Sequence, residues 1–256
     1  MNWRRLTFLV PLIFIQVACA TISKDTAPPR PAGNGVDAAR LVARCESTNQ
    51  SLVSTRGIGW ITFARSGKRQ HLRIAWISAV PEKLRAVFIG VDGRPLITIS
   101  ADGNWLYFLD HTTGEFHQDT PRGYRLKTAL DLPLEVSSLV LLLAGRMPTI
   151  DYDRTELSSG RTPDEIGIVL KKWWNMVGKV YVPKSRPAIS GIESYRQTGE
   201  LLYRADIKET QEIKTYIVPR VLSIHDGAAN HFVLDIERYW ANEPVKPEMF
   251  RLDPPE

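Results

Sequence analysis

The chain has 256 residues, 43% of them hydrophobic, and a formal net charge of +5 at pH 7. The hydrophobic content is ample for a packed core, and the length allows either one large all-β domain or two ordinary domains. The Lys and Arg residues do not form a block, which argues against nucleic acid as a partner.

The first twenty residues predict a secretory signal that ends at a lipid-acceptor cysteine. Arg4 and Arg5 precede an apolar run over residues 6–15, and small residues then lead into Cys19. The run is too short to span about 30 Å of hydrocarbon as a helix. We therefore expect residues 1–18 to be removed and Cys19 to carry acyl chains that hold the mature chain on a membrane. An ordinary secreted protein and an uncleaved anchor are the alternatives.

A tether and a short helix are expected next. Residues 19–35 are rich in Pro, Ala, Gly and small polar residues, so they cannot bury enough apolar surface to fold. An amphipathic helix follows over about 36–50, in which Val42 and Cys45 share helical spacing. Because lipidation would consume Cys19, Cys45 has no disulfide partner. We interpret Cys45 as a small hydrophobe on the inner face of the helix, with a reactive nucleophile as the alternative.

Six strands are predicted in the first half of the chain. Leu72, Ile74 and Trp76 alternate with polar or small residues, so they are expected to share one face of the second strand. The Asp-Gly pairs at 92–93 and 102–103 are typical of hairpin turns. The predicted strands are 56–65, 70–78, 83–91, 95–100, 104–110 and 115–118.

The segment 132–145 breaks this alternation. It is apolar nearly all round and shows no period of two, while Pro133 fits a helix start and Gly145 a helix stop. The segment is too short to span a membrane. A helix that is apolar on all sides must be buried or covered by other apolar material.

The second half returns to strands, which glycines separate. A continuous antiparallel sheet of this size is expected to curl toward a barrel or half-barrel, because open edge strands invite aggregation. The C-terminal tail is rich in proline and is expected to be extended. The predicted strands are 166–172, 178–183, 187–195, 200–208, 211–218, 220–225 and 230–238.

Two interpretations of the curled sheet remain open. In the first, the sheet closes on its own side chains and the 132–145 helix is a plug. In the second, the sheet encloses an apolar cavity that binds acyl chains, and the helix is its lid. Large aromatic side chains in the first six strands would suit such a cavity: Trp60, Phe63, Trp76, Phe88, Trp105, Tyr107 and Phe108.

The sequence contains neither a nucleophile elbow nor a phosphate loop, and its histidines lack the spacing of a metal site. We therefore predict no catalysis, no metal and no other cofactor. Trp173-Trp174 follows Lys171-Lys172 and can stack on a ligand, sit at a membrane interface or end a strand. We interpret this pair as a strand end with one ring buried and one exposed.

The order of these features resembles the LolA/LolB family of lipoprotein carriers and receptors over residues 36–254. The resemblance begins with the lipoprotein signal, a helix ending near Arg44-Cys45-Glu46 and a glycine-containing first strand. It continues with a Leu-Pro-Leu helix that ends in Ala144–Pro148. It closes with the terminal motif formed by Asn242-Glu243-Pro244 and Phe250–Pro254.

This resemblance implies a single, mainly β domain over 36–256: an unclosed antiparallel barrel of about 10–12 strands, with a few short helices covering its apolar concave face. It also implies an outer-membrane lipoprotein of the cell envelope that faces the periplasm, accepts lipoproteins from a soluble periplasmic carrier and releases them into the bilayer. Ala20 after Cys19 fits outer-membrane sorting. The residues expected to contact acyl chains in the cavity and lid are Trp60, Phe63, Leu72, Ile74, Trp76, Phe88, Trp105, Tyr107, Leu139, Leu142 and Leu143.

The resemblance also implies a membrane-facing hairpin tip. LolB-type receptors expose an apolar residue at a tip after the third or fourth strand, and the corresponding tip here is Gly90–Arg94. Val91 is its apolar residue, but Asp92 is expected at the tip itself, where a carboxylate resists entering a bilayer. Of the two properties of LolB-type receptors, lipid binding is therefore better supported for this chain than delivery of cargo into the bilayer. A non-catalytic envelope sensor or scaffold of the same fold is the alternative function.

Overall fold

A computed structural model describes residues 37–65, 68–120, 134–186, 188–227 and 230–255. The predicted signal, Cys19 and the tether lie outside the described residues. Within the described ranges, no helix combines the length and apolarity needed to cross a membrane.

In this part of the chain, thirteen strands form one antiparallel sheet, accompanied by two α-helices and one 3-10 helix. The helices are α1 (Ala38–Ser47), α2 (Val136–Leu143) and the 3-10 helix Pro247–Phe250. The strands are β1 (Ser54–Arg65), β2 (Lys68–Ala79), β3 (Lys83–Ile89), β4 (Pro95–Ala101), β5 (Leu106–Asp110), β6 (Phe116–Asp119), β7 (Arg154–Ser159), β8 (Glu165–Lys172), β9 (Asn175–Pro183), β10 (Gly191–Tyr195), β11 (Leu201–Ile213), β12 (Tyr216–His225) and β13 (His231–Ala241).

The strand order is β6-β5-β4-β3-β2-β1-β13-β12-β11-β10-β9-β8-β7. Pairing between β1 and β13 joins the two halves at the centre of the sheet. The strands β6 and β7 follow one another in the chain but stand at opposite edges, so the sheet is not closed, and the chain crosses between these edges through α2. The predicted mainly β, unclosed half-barrel is confirmed, with thirteen strands rather than 10–12.

The antiparallel order sends successive turns alternately to two opposite ends of the strands. The β3–β4 turn at 90–94 and the β8–β9 turn at 173–174 lie at the same end, which we call the upper edge. The turns at 80–82, 102–105 and 214–215 lie at the other end, which we call the lower edge. Two hairpin tips that are distant in sequence therefore project from one edge.

Two features of the second half differ from the sequence prediction. The strand Arg154–Ser159 is an edge strand whose polar, mostly exposed residues show no apolar alternation, so the sequence does not predict it. The predicted strand 211–218, which ends before Pro219, is wrong, because the chain turns at 214–215 and Pro219 lies inside β12. Pro219 is tolerated there because it pairs with Thr210 at a register irregularity, and β12 pairs with β13 only from Val221 onward.

Candidate functional site

One face of the sheet, which we call the inner face, packs against α1 and α2. Alternate residues of the strands form one continuous hydrophobic cluster across both halves. Leu72, Ile74 and Trp76 of β2 belong to it, as predicted, whereas Arg73 lies on the outer face. Cys45 of α1 is also in this core, as predicted, and burial raises the pKa of its thiol to about 11. The thiol therefore stays protonated at neutral pH.

The helix α2 is the buried helix that the sequence predicts. Seven of its eight residues are buried, and Leu142 has no exposed surface. It ends in a Schellman cap, in which the Arg146 N–H donates to the Leu141 carbonyl at 2.8 Å and the Gly145 N–H donates to the Leu142 carbonyl. Gly145 adopts a φ of 64°, and a Cβ there would lie 2.4 Å from the Ile217 carbonyl oxygen. Only glycine fits this close turn.

Hydrogen bonds hold the C-terminal end of α2. The Tyr239 hydroxyl donates to the Leu143 carbonyl at 2.9 Å, and burial raises the pKa of Tyr239, so the hydroxyl keeps its proton. The Asn49 amide donates to the Ala144 carbonyl at 2.9 Å and to the Ile217 carbonyl at 2.7 Å. At the other end, the N-cap residue Glu135 provides no side-chain cap to the backbone N–H groups, and a hydrogen bond between Ser138 and Tyr203 attaches the helix there. The C-terminal end of α2 is thus the more firmly attached.

The glycine in the first strand makes room for a large aromatic ring. A Cβ at Gly57 would lie 2.0 Å from the Trp76 ring, so the indole lies directly over this backbone. The indole N–H donates to the Thr55 hydroxyl at 3.2 Å, and the Thr55 and Ser78 hydroxyls are 2.6 Å apart. Trp76 is therefore fixed in orientation near the lower edge of the inner face.

Some apolar side chains of the inner face in the first half are only half-buried. These are Phe63, Leu72, Ile97 and Phe108, of which Phe63 and Leu72 lie toward the upper edge. Their neighbours Ile74, Trp76, Phe88, Ile99 and Leu106 are buried. The Phe63 ring lies 5.7 Å from the rings of both Phe88 and Phe232, so the three rings form an aromatic cluster.

Eight of the eleven predicted acyl-contact residues lie together, either on the inner face or on α2. These are Phe63, Leu72, Ile74, Trp76, Phe88, Leu139, Leu142 and Leu143.

The structure places Trp60 elsewhere, on the outer face. Its indole N–H donates to Glu237 Oε1 at 2.8 Å, and its ring stacks on His71 at 4.7 Å. Successive side chains of a strand point to opposite faces, so Trp60 and Phe63, three residues apart in β1, must lie on different faces. The alternation in this strand was therefore the signal that could have excluded Trp60.

Tyr107 and Trp105 also lie away from the inner cluster. Tyr107 follows the inward-facing Leu106, and its buried hydroxyl donates to Asp102 Oδ2 at 3.0 Å. Trp105 is exposed in the turn before β5, at the lower edge. Neither side chain is brought to α2.

The β3–β4 hairpin presents Val91 at its tip. The Gly90 N–H donates to the Arg94 carbonyl at 2.8 Å, and Gly93 has a left-handed φ of 81°. Val91 is fully exposed. Asp92 shares the tip, but its carboxylate accepts the Arg94 N–H at 3.1 Å and lies 3.7 Å from the Arg94 guanidinium. The charge of this carboxylate is therefore partly balanced within the tip.

Trp173 and Trp174 form the two-residue loop between β8 and β9, and both side chains are exposed. The prediction of a strand end with one ring buried is wrong, because the chain reverses direction at these two residues. The pair lies at the upper edge.

An ionic network occupies the outer face of the second half, and the sequence does not predict it. Asp206 is 3% exposed and pairs with Arg161 and with Arg204, whose Nε lies 3.1 Å from Asp206 Oδ2. Arg161 also donates to both oxygens of Glu165, at 2.8 and 3.0 Å, and the Ser190 hydroxyl donates to Glu165 at 2.6 Å. The Arg161 hydrogen bonds are the main reason that the pKa of Glu165 falls to about 2.

A groove of about 580 Å³ lies on the outer face of the first half, beside the C-terminal tail. Arg85 donates to the Met249 carbonyl at 3.2 Å and ties the tail to β3. The groove is lined mainly by Arg56, Ile58, Ile77, Arg85, Val87, Trp240 and Met249. It is a second apolar surface, on the side of the sheet away from α2.

The chemistry of the inner face is that of apolar burial. Within the described ranges, no group of three or more His, Cys, Asp or Glu side chains is placed to hold a metal ion. What the inner face offers a ligand is mainly hydrocarbon and aromatic surface.

No protein-family model and no curated protein matches the chain. Solved structures do resemble it. A LolA superfamily protein from Nitrosomonas europaea superposes with a TM-score of 0.58 and 16% identity, over 85% of this chain and 99% of that one. An outer membrane lipoprotein-sorting protein domain from Vibrio parahaemolyticus gives a TM-score of 0.57 at 7% identity, over 82% of this chain and 94% of that one.

A DUF1329 family protein from Desulfovibrio piger is similar to the same degree, with a TM-score of 0.57 at 9% identity, over 83% of this chain and 95% of that one. At these identities the likeness establishes the fold: the chain has a LolA-like fold.

Proposed function

We propose that the protein is a lipid-anchored receptor of the cell envelope that binds acyl chains on the inner face of its sheet and receives or inserts lipoproteins, as LolB-type receptors do. The observation that carries the proposal is α2, an apolar helix that lies on the inner face of an unclosed sheet. The lipoprotein signal that the sequence predicts before Cys19 and the LolA-like fold support it. We infer a role in binding rather than in catalysis.

The proposed acyl site begins at the half-buried Phe63 and Leu72 side chains, toward the upper edge of the inner face. The buried Phe88, Ile74 and Trp76 side chains would receive the deeper part of a chain. Each methylene removed from water contributes about 0.8 kcal/mol, so several acyl chains need a large apolar surface. The Leu139, Leu142 and Leu143 side chains of α2 cover that surface and would be replaced by the ligand.

The attachments of α2 favour an opening that starts at its N-terminal end. Glu135 provides no side-chain cap there, whereas Tyr239 and Asn49 bind the C-terminal end. We expect α2 to swing about its C-terminal end, so that Leu139 separates from the sheet before Leu143 does. Because the sequence has no phosphate loop, we expect transfer to follow a gradient of affinity rather than nucleotide hydrolysis.

Site-specific photocrosslinking in cells tests this proposal. A photoreactive residue at Leu139 is expected to crosslink to acyl chains of lipids or lipoproteins, and one at Trp76 to do so less efficiently. The control position is Leu157, which is exposed on the edge strand β7. Two results would contradict the proposal: a folded position-139 variant that crosslinks to no lipid, or position-139 and position-157 variants that crosslink to lipid equally well.

A sensor or scaffold of the same fold is the second candidate function. The complete burial of Val140 and Leu142 favours it, because α2 then acts as a permanent plug of the inner face. Mass spectrometry after mild extraction separates the two functions. A carrier or receptor is expected to retain bound lipid, and a scaffold is expected to be free of it.

The proposed location is the outer membrane, with the folded domain in the periplasm and a soluble periplasmic carrier as the partner that delivers lipoproteins. The anchor is tested by replacing the acceptor, Cys19→Ala. The variant is expected to lose its acyl mass. Retention of the acyl mass would contradict lipidation at Cys19 without affecting the test of acyl binding.

A further inference from the structure

The β8–β9 hairpin exposes two tryptophans that the proposed function does not use. The strand β8 ends at Lys172 and β9 begins at Asn175, so Trp173 and Trp174 are the entire loop. Their exposed fractions are 69% and 83%. Large apolar rings with this exposure at a hairpin tip have no role in the core and are typical of surfaces that bind something apolar.

The backbone conformation of this loop is unfavourable for a tryptophan. Trp173 has a φ of 59°, in the left-handed region that bulky residues rarely adopt. Two-residue hairpin loops with a positive φ at the first central residue alone favour glycine at that position, because glycine adopts positive φ at less cost. Tryptophan is therefore a poor residue for forming this turn, and its presence points to a contribution outside folding.

The neighbouring side chains hold the loop in place. The Asp153 carboxylate accepts the Trp173 N–H at 2.8 Å, and Arg154 donates to the Trp173 carbonyl. The Arg154 guanidinium lies 5.5 Å from the centre of the Trp174 ring. The two indoles are thus presented on a fixed base.

The charges around the tip balance one another. Lys171 pairs with Glu156 at 2.6 Å, and Lys172 pairs with Asp151. Arg154 lies 3.5 Å from the Asp153 carboxylate. With three cations matched by three carboxylates, the base of the tip has no net charge to attract an anionic surface. Its attraction for a partner must come from the indoles.

The position of the tip points to a flat partner. The large hydrophobic side chains that are exposed within the described ranges are Val53, Val91, Trp105, Leu157, Trp173 and Trp174. Three of these six, Val91, Trp173 and Trp174, occupy two hairpin tips at the upper edge. In the strand order, these tips stand on opposite sides of the central β1–β13 pair. A partner that touches both must extend across the edge, as a bilayer does.

We propose that Trp173 and Trp174 dock the upper edge of the protein on a lipid bilayer, with the indoles in the interfacial layer, where amphipathic aromatic rings are favoured. Val91 makes the second, weaker contact. Docking in this orientation turns the upper edge of the inner face, where Phe63 and Leu72 are half-buried, toward the membrane. The docking itself does not depend on the acyl site of the proposed function.

Quenching of tryptophan fluorescence by brominated lipid tests this proposal. The processed chain is isolated from the membranes of expressing cells and reconstituted into phosphatidylcholine vesicles that contain brominated phosphatidylcholine. Part of the emission is expected to be quenched. The double variant Trp173→Ser/Trp174→Ser is expected to lose most of that quenchable emission. Trp105→Ser, which removes an exposed tryptophan at the lower edge, is the matched control and is expected to keep it.

Two results would overturn the proposal. One is wild-type emission that brominated lipid does not quench, or that it quenches equally in the double variant. The other is quenching that requires phosphatidylglycerol and disappears at high salt, since a tip without net charge should bind without either dependence. Photocrosslinking at Leu139 is measured on the same double variant. Retained crosslinking with lost quenching would separate docking from acyl binding.

Discussion

Different interactions hold the inner and outer faces of the sheet. On the inner face, Leu142 and its neighbours are buried among apolar side chains, whose attraction is non-directional. On the outer face of the second half, Arg161 and Asp206 belong to a network of directional, charge-assisted hydrogen bonds. Hydrocarbon of another source can replace an apolar neighbour, but it cannot replace a charge partner. The comparison indicates that the inner face can exchange its covering while the outer face keeps the strands in register.

The largest expected effect comes from placing a charge on the inner face. Leu142→Asp puts a carboxylate where the native side chain has no exposed surface, and we expect a loss of about 4 kcal/mol or more in the free energy of unfolding. Urea titration followed by circular dichroism measures it. The control Leu157→Asp lies on an exposed edge and is expected to change stability by no more than about 0.5 kcal/mol. Equal effects would mean that α2 does not cover a closed apolar surface.

The next largest effect breaks the outer network. Arg161→Ala removes one partner of buried Asp206 and both hydrogen bonds to Glu165, and we expect a loss of about 3 kcal/mol, since Asp206 keeps Arg204. The same titration measures it. Arg73→Ala, which breaks a half-exposed pair on the outer face, is the control and is expected to cost less than about 1 kcal/mol. A small effect at Arg161 would show that the outer face does not need its network.

The outer face should also be the more sensitive to acid. Arg161 lowers the pKa of Glu165 from its ordinary 4.5 to about 2. A carboxyl with a lower pKa in the folded chain stabilises the fold above pH 4.5, and this stability is lost as the pH falls toward 2. We expect Glu165→Gln to lose about 2 kcal/mol at pH 7 and to flatten the decline between pH 4.5 and 2.

A second variant is expected to change the dependence of stability on pH by a smaller amount. Ser190→Ala removes one hydrogen bond to Glu165 and is expected to give an intermediate slope of stability against pH. Urea titrations at pH 7, 4 and 3 measure all three chains. Identical slopes in the wild type and Glu165→Gln would exclude Glu165 as a source of acid sensitivity.

The inner face could largely be predicted from the sequence because its signals are local. The alternation of Leu72, Ile74 and Trp76 and the all-round apolar character of α2 each lie within one element. The error at Trp60 came from grouping aromatic residues by type rather than by strand parity. The sequence shows the adjacent tryptophans Trp173 and Trp174, but the exposure of both rings depends on where β8 and β9 end.

The outer face could not be predicted, because its contacts depend on strand register. Arg161 and Asp206 are 45 residues apart, and neither lies in a motif. They meet only because β8, β9, β10 and β11 are neighbours in the sheet. The tail is a further case of contacts distant in sequence: Phe250 is buried, and the Ser100 hydroxyl of β4 donates to its carbonyl at 2.7 Å. Local sequence patterns do not show which strands will be neighbours, so they do not predict contacts between residues this far apart in the chain.

The smallest expected effect is a difference in stability between two glycine variants, and it separates the cost of steric overlap at the end of α2 from the cost of backbone strain alone. Gly145 and Gly199 both have positive φ, of 64° and 84°. A Cβ at Gly199 would meet nothing within 4 Å, whereas one at Gly145 would overlap the Ile217 carbonyl at the end of α2. We expect Gly199→Ala to cost about 1 kcal/mol from strain and Gly145→Ala to cost about 2 kcal/mol from strain and overlap. Thermal unfolding measures the stability of both variants. If Gly145→Ala and Gly199→Ala lost equal stability, the C-terminal end of α2 would move away from the Ile217 carbonyl at little cost. This end could then not be the fixed end of the proposed lid.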